Sequence, residues 1–189
     1  LLEQGVKDEP NNARYKFYLA NTLRDVGKYE EAIEMFNKRV EMKGWDQEVF
    51  YSLYQIGYCF ELLKEIEAAK VSYLKAWEYR PSRAEPLYKL AYICRNEKEY
   101  NQAYLFAKRG LEIPKSDDVI FVNNPTYDYC LLFEKSISAS WLGKIEEAII
   151  DCRNIEAMKN IPDDVRKVNR SNLKINEDTL QRRKDDKKR

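Results

Sequence analysis

Histidine is absent from the 189 residues. That removes the commonest general base and every Ser–His or Cys–His nucleophile pair. No GxGxxG and no GxxxxGK followed by Ser or Thr occurs, so no loop built to cradle a phosphate is signalled. The adjacent aspartates Asp117-Asp118, Asp163-Asp164 and Asp185-Asp186 sit where caps, turns or a tail are expected. The chain by itself therefore carries no catalytic set, and it is read as a non-enzyme without a cofactor. No apolar run approaches the roughly 18 residues of a membrane span, and no positively charged start leads into an apolar stretch. Only four cysteines are present, Cys59, Cys94, Cys130 and Cys152, none in a CxxC pair. With no histidine to help, a zinc site would need these scattered thiols; they read instead as small buried groups in a reducing, cytoplasmic setting, with no metal. A formal charge of +1 without a sustained basic face argues against nucleic acid as partner.

What is present is a repeat. Gly27 to Phe36, GKYEEAIEMF, returns in degraded form as KEIEAAKVSY at Lys64, KEYNQAYLFA at Lys98 and GKIEEAIIDC at Gly143. Each copy has a turn, then an aromatic or Ile, then an alanine three residues later, as expected for the elbow of a helical hairpin. The alanines Ala32, Ala69, Ala103 and Ala148 are separated by steps of 37, 34 and 45 residues. A period near 34 with two insertions is the mark of stacked two-helix units. The expected fold is all-α, a solenoid of about four hairpins with an extended loop insertion and a C-terminal capping helix.

The hairpins are expected at about 13–42, 47–79, 84–112 and 126–158, after a partial one at 1–10. Pro10 lies 71 residues before Pro81, so the register already exists where the chain begins at Leu1, and a preceding segment is expected. Gly27 is the first turn; Gly44 is placed to end a helix, and Asp46 and Ser82 to cap the next ones. The stretch IPKSDDVIFVNNPTYDY from Ile113 to Tyr129 holds the β-favouring run Val119 to Val122 between Asp and Asn-Asn-Pro punctuation, so residues 114–125 are expected as an extended loop. Such a loop either folds over the array to cover Leu and Tyr side chains or carries function. A last helix at 163–176 would cover the apolar end of the array, and 177–189, close to charge-saturated, is read as a solvated tail or frayed helix.

The pattern resembles the tetratricopeptide repeat (TPR) over roughly residues 1–160. An apolar-small pair marks the first helix of each unit, and a small residue with an aromatic marks the second. These are Leu19-Ala20, Ala32 and Phe36, then Ile56-Gly57, Ala69, Tyr73, Ala76 and Pro81, then Leu90-Ala91, Ala103 and Gly110. The fourth unit has Lys135-Ser136 in place of the apolar-small pair. Small residues let paired helices touch, and aromatics fill the space between hairpins. The resemblance implies an α-α superhelix, a TPR solenoid, whose first helices line a concave groove. In this register Phe17, Asn21, Tyr54, Tyr58, Tyr88, Tyr92, Phe133 and Ile137 point into it, flanked by Arg24, Gln55, Lys89 and Arg95. Tyrosines there would stack on a peptide or a sugar ring, or else pack between hairpins. Asn21 matches one position of the carboxylate clamp known in cochaperone members, but Phe17, Tyr54 and Glu85 depart from it.

Longer phrases go further. NARYKFYLANTLRDVGKYEEAIEMFNKRVEMKGWDQEVFYSLYQIGYC, YRPSRAEPLYKLA, YLFAKRGLEIPKSDDVIFV and SASWLGKIEEAI are similar to the TPR region that follows the catalytic domain of family 2 glycosyltransferases, including the insertions at Gly44-Trp45 and Pro114 to Pro125. That likeness implies an accessory module of a sugar-transferring enzyme, holding a protein partner or glycan acceptor; no Asp-x-Asp spacing for the transfer itself occurs here. The repeat pattern alone implies a freestanding adapter that binds a peptide segment of a partner protein. Oligomeric state is left open by the sequence.

Overall fold

The computed structural model describes residues 2–187. It contains ten α-helices among the described residues: α1 (Leu2–Asp8), α2 (Ala13–Asp25), α3 (Tyr29–Glu41), α4 (Asp46–Leu62), α5 (Ile66–Tyr79), α6 (Glu85–Asn96), α7 (Tyr100–Leu111), α8 (Leu131–Trp141), α9 (Ile145–Ala157) and α10 (Asp163–Asp186). No strand occurs among them, and a short π-helical turn, Thr126–Cys130, leads directly into α8. The contacts divide the chain into two compact units. The first comprises residues up to Pro86 together with Ser116–Val122; the second comprises Leu87–Lys115 and the residues from Asn123 onward.

The repeated elbow has one backbone geometry throughout. Gly27, Lys64, Lys98 and Gly143 all adopt positive φ, between 62° and 82°. In each case the next residue's amide reaches back five residues, Lys28 to Leu23 O, Glu65 to Phe60 O, Glu99 to Cys94 O and Lys144 to Ala139 O, at 2.7–2.9 Å. The left-handed residue itself donates three residues back, as in Gly27 to Arg24 O and Lys64 to Glu61 O, both 3.0 Å. This is the Schellman closure, which satisfies carbonyls that a helix end would otherwise leave unpaired. The residue after the turn then accepts from the marker alanine: Ala32, Ala69, Ala103 and Ala148 donate to Lys28, Glu65, Glu99 and Lys144. The sequence period is thus the period of one hydrogen-bonded turn.

In the first unit α2 pairs with α3 and α4 with α5, and α3 also packs on α4. Leu19, Ala20, Leu23, Ala32, Phe36, Ile56 and Cys59 form its core, onto which Leu2 and Val6 of α1 dock. Gly57 shows why the apolar-small pair matters: a Cβ there would lie 2.8 Å from the ring of Tyr73, which is fully buried. Gly110 plays the same part in the second unit, where an added Cβ would come within 2.6 Å of Leu131. There α7 packs on α8, α8 on α9 and α9 on α10.

Two expected caps differ. Asp46 is the first residue of α4 rather than its cap, which is Trp45; its carboxylate accepts from the Tyr79 hydroxyl at 3.0 Å. The helix after Pro81 starts at Glu85, so Ser82 stands outside the capping position. Gly44 behaves as expected, joined by Lys43 in the left-handed region, with φ of 89° and 55°. The insertion around them is pinned from below by Arg39, which donates to Lys43 O at 2.6 Å and pairs with Glu48 at 3.0 Å, both side chains buried.

The fourth repeat replaces the apolar-small pair with a charged network. Lys135 reaches Asp151 at 2.6 Å and Glu147 at 2.8 Å, and Ser136 Oγ donates to Phe133 O. Burial disfavours the charge on Lys135, but the bonds to Asp151 and Glu147 outweigh it and raise its pKa. The last helix runs past the expected end of the cap to Asp186, so much of the expected tail is helical. Its buried residues are Asn169, which donates to Cys152 O and Glu156, and Asn176, which accepts from Ser140 Oγ at 2.6 Å. The cap therefore covers its neighbour with amides rather than with leucines.

Candidate functional site

In the first unit the candidate surface lies on α2 and α4. Phe17 is buried, with its ring 5.9 Å from Tyr51 and 5.8 Å from Tyr18. One turn on, Asn21 donates to Phe17 O at 2.8 Å. A further turn on, Arg24 spans to the next first helix, donating to Gln55 Oε1 at 2.6 Å and lying 3.5 Å from the Tyr51 hydroxyl. Burial opposes the charge on Arg24, yet its bonds to Asp25 and Tyr51 hold the pKa above the ordinary value. The residues of α4 that meet α2 are thus Tyr51 and Gln55, four apart on one face.

Tyr54 and Tyr58 gather elsewhere. Tyr54 packs on Tyr73 of its own hairpin, ring centres 5.3 Å apart, and on Phe50 at 6.4 Å. Tyr73 donates to Glu61, and burial first, then the nearby Tyr54, Glu61 and Tyr58, push its hydroxyl well above the ordinary range. The sequence register pointed at the neighbours of the tyrosine that completes the surface, Tyr51.

The same relation recurs in the second unit. Arg95 pairs with Glu134 and lies 5.2 Å over the ring of Tyr92, whose own neighbour is Tyr88 at 6.3 Å. Burial raises the pKa of Glu134 more than the Arg95 pair lowers it; Arg95, although part-buried, is held above its ordinary value by that carboxylate. Burial and the neighbouring Cys130 push Tyr88 upward, and burial raises the Cys130 thiol to about 11. Lys89 is half-buried one residue beyond Tyr88, and Phe133 is half-buried beside Glu134. Glu134 is the residue of α8 that Arg95 of α6 holds. Gln55 in the first unit and Glu134 here hold the same repeat position, each directly before the pair that marks its helix; a π-turn leads into α8, with Leu131 N–H donating to Thr126 O five residues back.

The loop supplies what the sequence did not reveal. Ser116–Val122 belongs to the first unit and lies against its first helices. Phe121 stacks on Tyr51 with ring centres 3.9 Å apart and planes 19° from parallel, and lies 6.0 Å from Phe17. Such ring pairs add about 0.5–1.5 kcal/mol beyond their buried area. Gln47 Oε1 accepts from the backbone amides of Val119 and Ile120 at 3.1 and 3.2 Å. Asp118 takes a fork of two bonds from Arg80 and a single bond from Arg83 at 2.9 Å. Burial alone would raise the Asp118 pKa, but the bonds from Arg80 and Arg83 prevail and hold it below the ordinary value. Arg83, 1% exposed, also pairs with Glu85 at 2.7 Å, donates to Phe121 O at 2.8 Å and lies 4.5 Å over the Phe50 ring. Phe121 itself adopts a left-handed φ of 54°, a conformation that costs a non-glycine residue about 1–2 kcal/mol.

None of the four cysteines is in a disulfide; Cys59, Cys94 and Cys152 are buried. Burial raises Cys59 and Cys152 to about 11, which suits packing groups rather than nucleophiles. No group of three or more Cys, Asp or Glu able to hold a metal occurs among the described residues. No helix among them is long and apolar enough to cross a membrane.

Comparison with known proteins agrees with this architecture. Residues 13–44 and 50–83 match the family described as tetratricopeptide repeat. Response regulator aspartate phosphatase I of Bacillus subtilis (strain 168) is 31% identical over 114 residues, which cover 56% of this chain and 29% of that protein. The chain thus spans less than a third of that relative. Among solved structures, YrrB, described as a TPR protein with an unusual peptide-binding site, superposes with a TM-score of 0.62 at 17% identity, over 82% of this chain and 73% of YrrB. MamA superposes with a TM-score of 0.62 at 19% identity, over 79% of this chain and 80% of MamA. At these identities the likeness is one of fold.

Proposed function

We propose that this chain, which carries tetratricopeptide repeats at residues 13–44 and 50–83 within an all-α TPR solenoid, is a non-catalytic module that receives a peptide segment of a protein partner on its first helices. One observation carries the reading. The surface of α2, α4 and the connection from α5 to α6 already holds a stretch of chain, through side chains that read a carboxylate, two backbone amides and an aromatic ring. That is the chemistry of peptide capture in a groove. Arg24, Gln55, Asn21 and Phe17 support this face, and Tyr88, Tyr92, Lys89, Arg95 and Phe133 are the corresponding candidates in the second unit. Free thiols fit a reducing compartment such as the cytoplasm. Panning a library of random displayed peptides over the chain tests this: enriched sequences should lose binding to the Tyr51→Ala and Arg24→Ala variants while helicity is retained. No enrichment over background would overturn it.

A second reading makes the module the accessory part of a glycosyltransferase, with a glycan acceptor as ligand. It rests on the resemblance of the long phrases, insertions included, to that group, and on Trp141, which stacks on Tyr100 with planes 2° from parallel yet stays 67% exposed, a surface suited to a sugar ring. A saturable change in tryptophan fluorescence on titration with acceptor oligosaccharides would favour this reading over the adapter. Silence for every oligosaccharide tried would count against it.

A further inference from the structure

We propose that Ser116–Val122 is an internal ligand of the surface formed by α2, α4 and the connection from α5 to α6, and that the partner segment competing with it is a peptide carrying an acidic residue three positions before an aromatic one. This deepens the peptide-binding reading above and rests on it.

The contacts divide into those that read side chains and those that read only the main chain. Asp118 and Phe121 are read by side chain, by Arg80 with Arg83 and by Tyr51 with Phe17. Between them Gln47 takes the amides of Val119 and Ile120, and Arg83 takes the carbonyl of Phe121. Amides and carbonyls are common to every sequence, and Val119 is 80% exposed. Val119 is therefore unselected, Ile120 is half-buried and read through its amide, and the two side-chain anchors give the pattern Asp-x-x-Phe.

Charge fixes the class of the first anchor. Arg80 and Arg83 are balanced by Glu85 and Asp118. Withdrawing Asp118 leaves one positive charge uncompensated around a guanidinium that is almost wholly buried, so an incoming carboxylate is the group that restores the balance. The second anchor is a ring: Phe121 remains 49% exposed, so its place over Tyr51 is open to exchange from the solvent side. The resident segment also holds Phe121 in the left-handed region, a constraint on a loop tied to helices at both ends. A free peptide that reaches both anchors without that conformation competes on better terms.

An internal ligand weakens every external one by the fraction of time it occupies the face, and tethering gives it an effective concentration on the order of millimolar. The test uses the full chain and a fluorescein-labelled peptide of the chain's own residues 115–123, KSDDVIFVN, read by fluorescence anisotropy. The Asp118→Ala/Phe121→Ala chain should bind it at least tenfold more tightly than the unaltered chain, and a peptide with those same two positions changed to alanine should not bind. No binding to the altered chain, or equal affinity for both chains, overturns the proposal. Should the double substitution reduce helicity, the chain with residues 116–122 replaced by a seven-residue Gly-Ser linker serves the same comparison. Displayed peptides that depend on Tyr51 but are indifferent to the loop substitutions would leave the peptide-binding module standing and dispose of the internal ligand alone.

Discussion

Gly57 lies beneath the ring of Tyr73, where a Cβ would come within 2.8 Å of Cε1, 2.9 Å of Cδ1 and 3.0 Å of Cζ. The ring cannot retreat easily: it is fully buried, packs on Tyr54 and is tied by its hydroxyl to Glu61. Alanine gains about 1 kcal/mol of helix propensity over glycine, while overpacking a filled core costs about 1–3 kcal/mol. With three ring atoms at or below 3.0 Å the clash prevails. Gly57→Ala should lower stability by about 1 kcal/mol, read as a lower urea midpoint with unchanged slope; an unchanged or higher midpoint would mean the hairpin opens more freely than its packing implies.

The four elbows give a prediction of opposite sign. Lys64 and Lys98 occupy the left-handed position that Gly27 and Gly143 occupy in the other two turns. Glycine bears none of the steric penalty there. Lys64→Gly and Lys98→Gly should each raise stability by about 0.5–1 kcal/mol in thermal unfolding, whereas Gly27→Ala should lower it by about as much. A loss in the two lysine variants would show that their side chains contribute more than the turn geometry does.

Arg39 and Glu48 form a buried pair under the Lys43-Gly44 insertion. Removing one partner leaves the other charged and dry, so Glu48→Ala should cost about 3–5 kcal/mol. The joint replacement Arg39→Met/Glu48→Leu should recover most of that loss. Equal losses in the single and double variants, compared by denaturant titration, would refute the account.

Asp118 links the loop to pH. Its folded pKa lies below the ordinary 3.8 because Arg80 and Arg83 bind the carboxylate, despite the opposing effect of burial. A depressed carboxyl contributes its stabilisation fully above the ordinary value and loses it as the pH falls through the lower folded value. The gap in stability between the natural chain and Asp118→Asn should therefore be flat from about pH 7 to 5 and close below about pH 4. A gap that widened on acidification would mean that Asp118 is held in its protonated form.

Much of the architecture was legible in sequence because it is local. The alanines at near-constant spacing, the elbow motif and the apolar-small pairs each act within one hairpin, and the turn that generates them is a single hydrogen-bonded pattern. The candidate surface was legible only in part. Phe17, Asn21, Arg24 and Gln55 come together, as do Tyr88, Tyr92 and Arg95, since those positions follow from counting along one helix. Tyr51 was passed over for Tyr54, and Glu134 for Phe133. Helical counting gives a stripe, but which edge of the stripe meets the neighbouring helix depends on packing. The position of Phe121 was beyond reach: it meets Phe17 across 104 residues and Tyr51 across 70, and no period encodes such a meeting.

The π-turn at Thr126–Cys130 has a bearing on how such arrays diversify. One surplus residue in an α-helix rotates everything after it by about 100° relative to what came before. Taken up inside a single wide turn, that rotation uncouples the surface shown upstream from the core that must be filled downstream. A one-codon insertion then becomes a way to redraw a binding face while leaving the interior of the hairpin as it was.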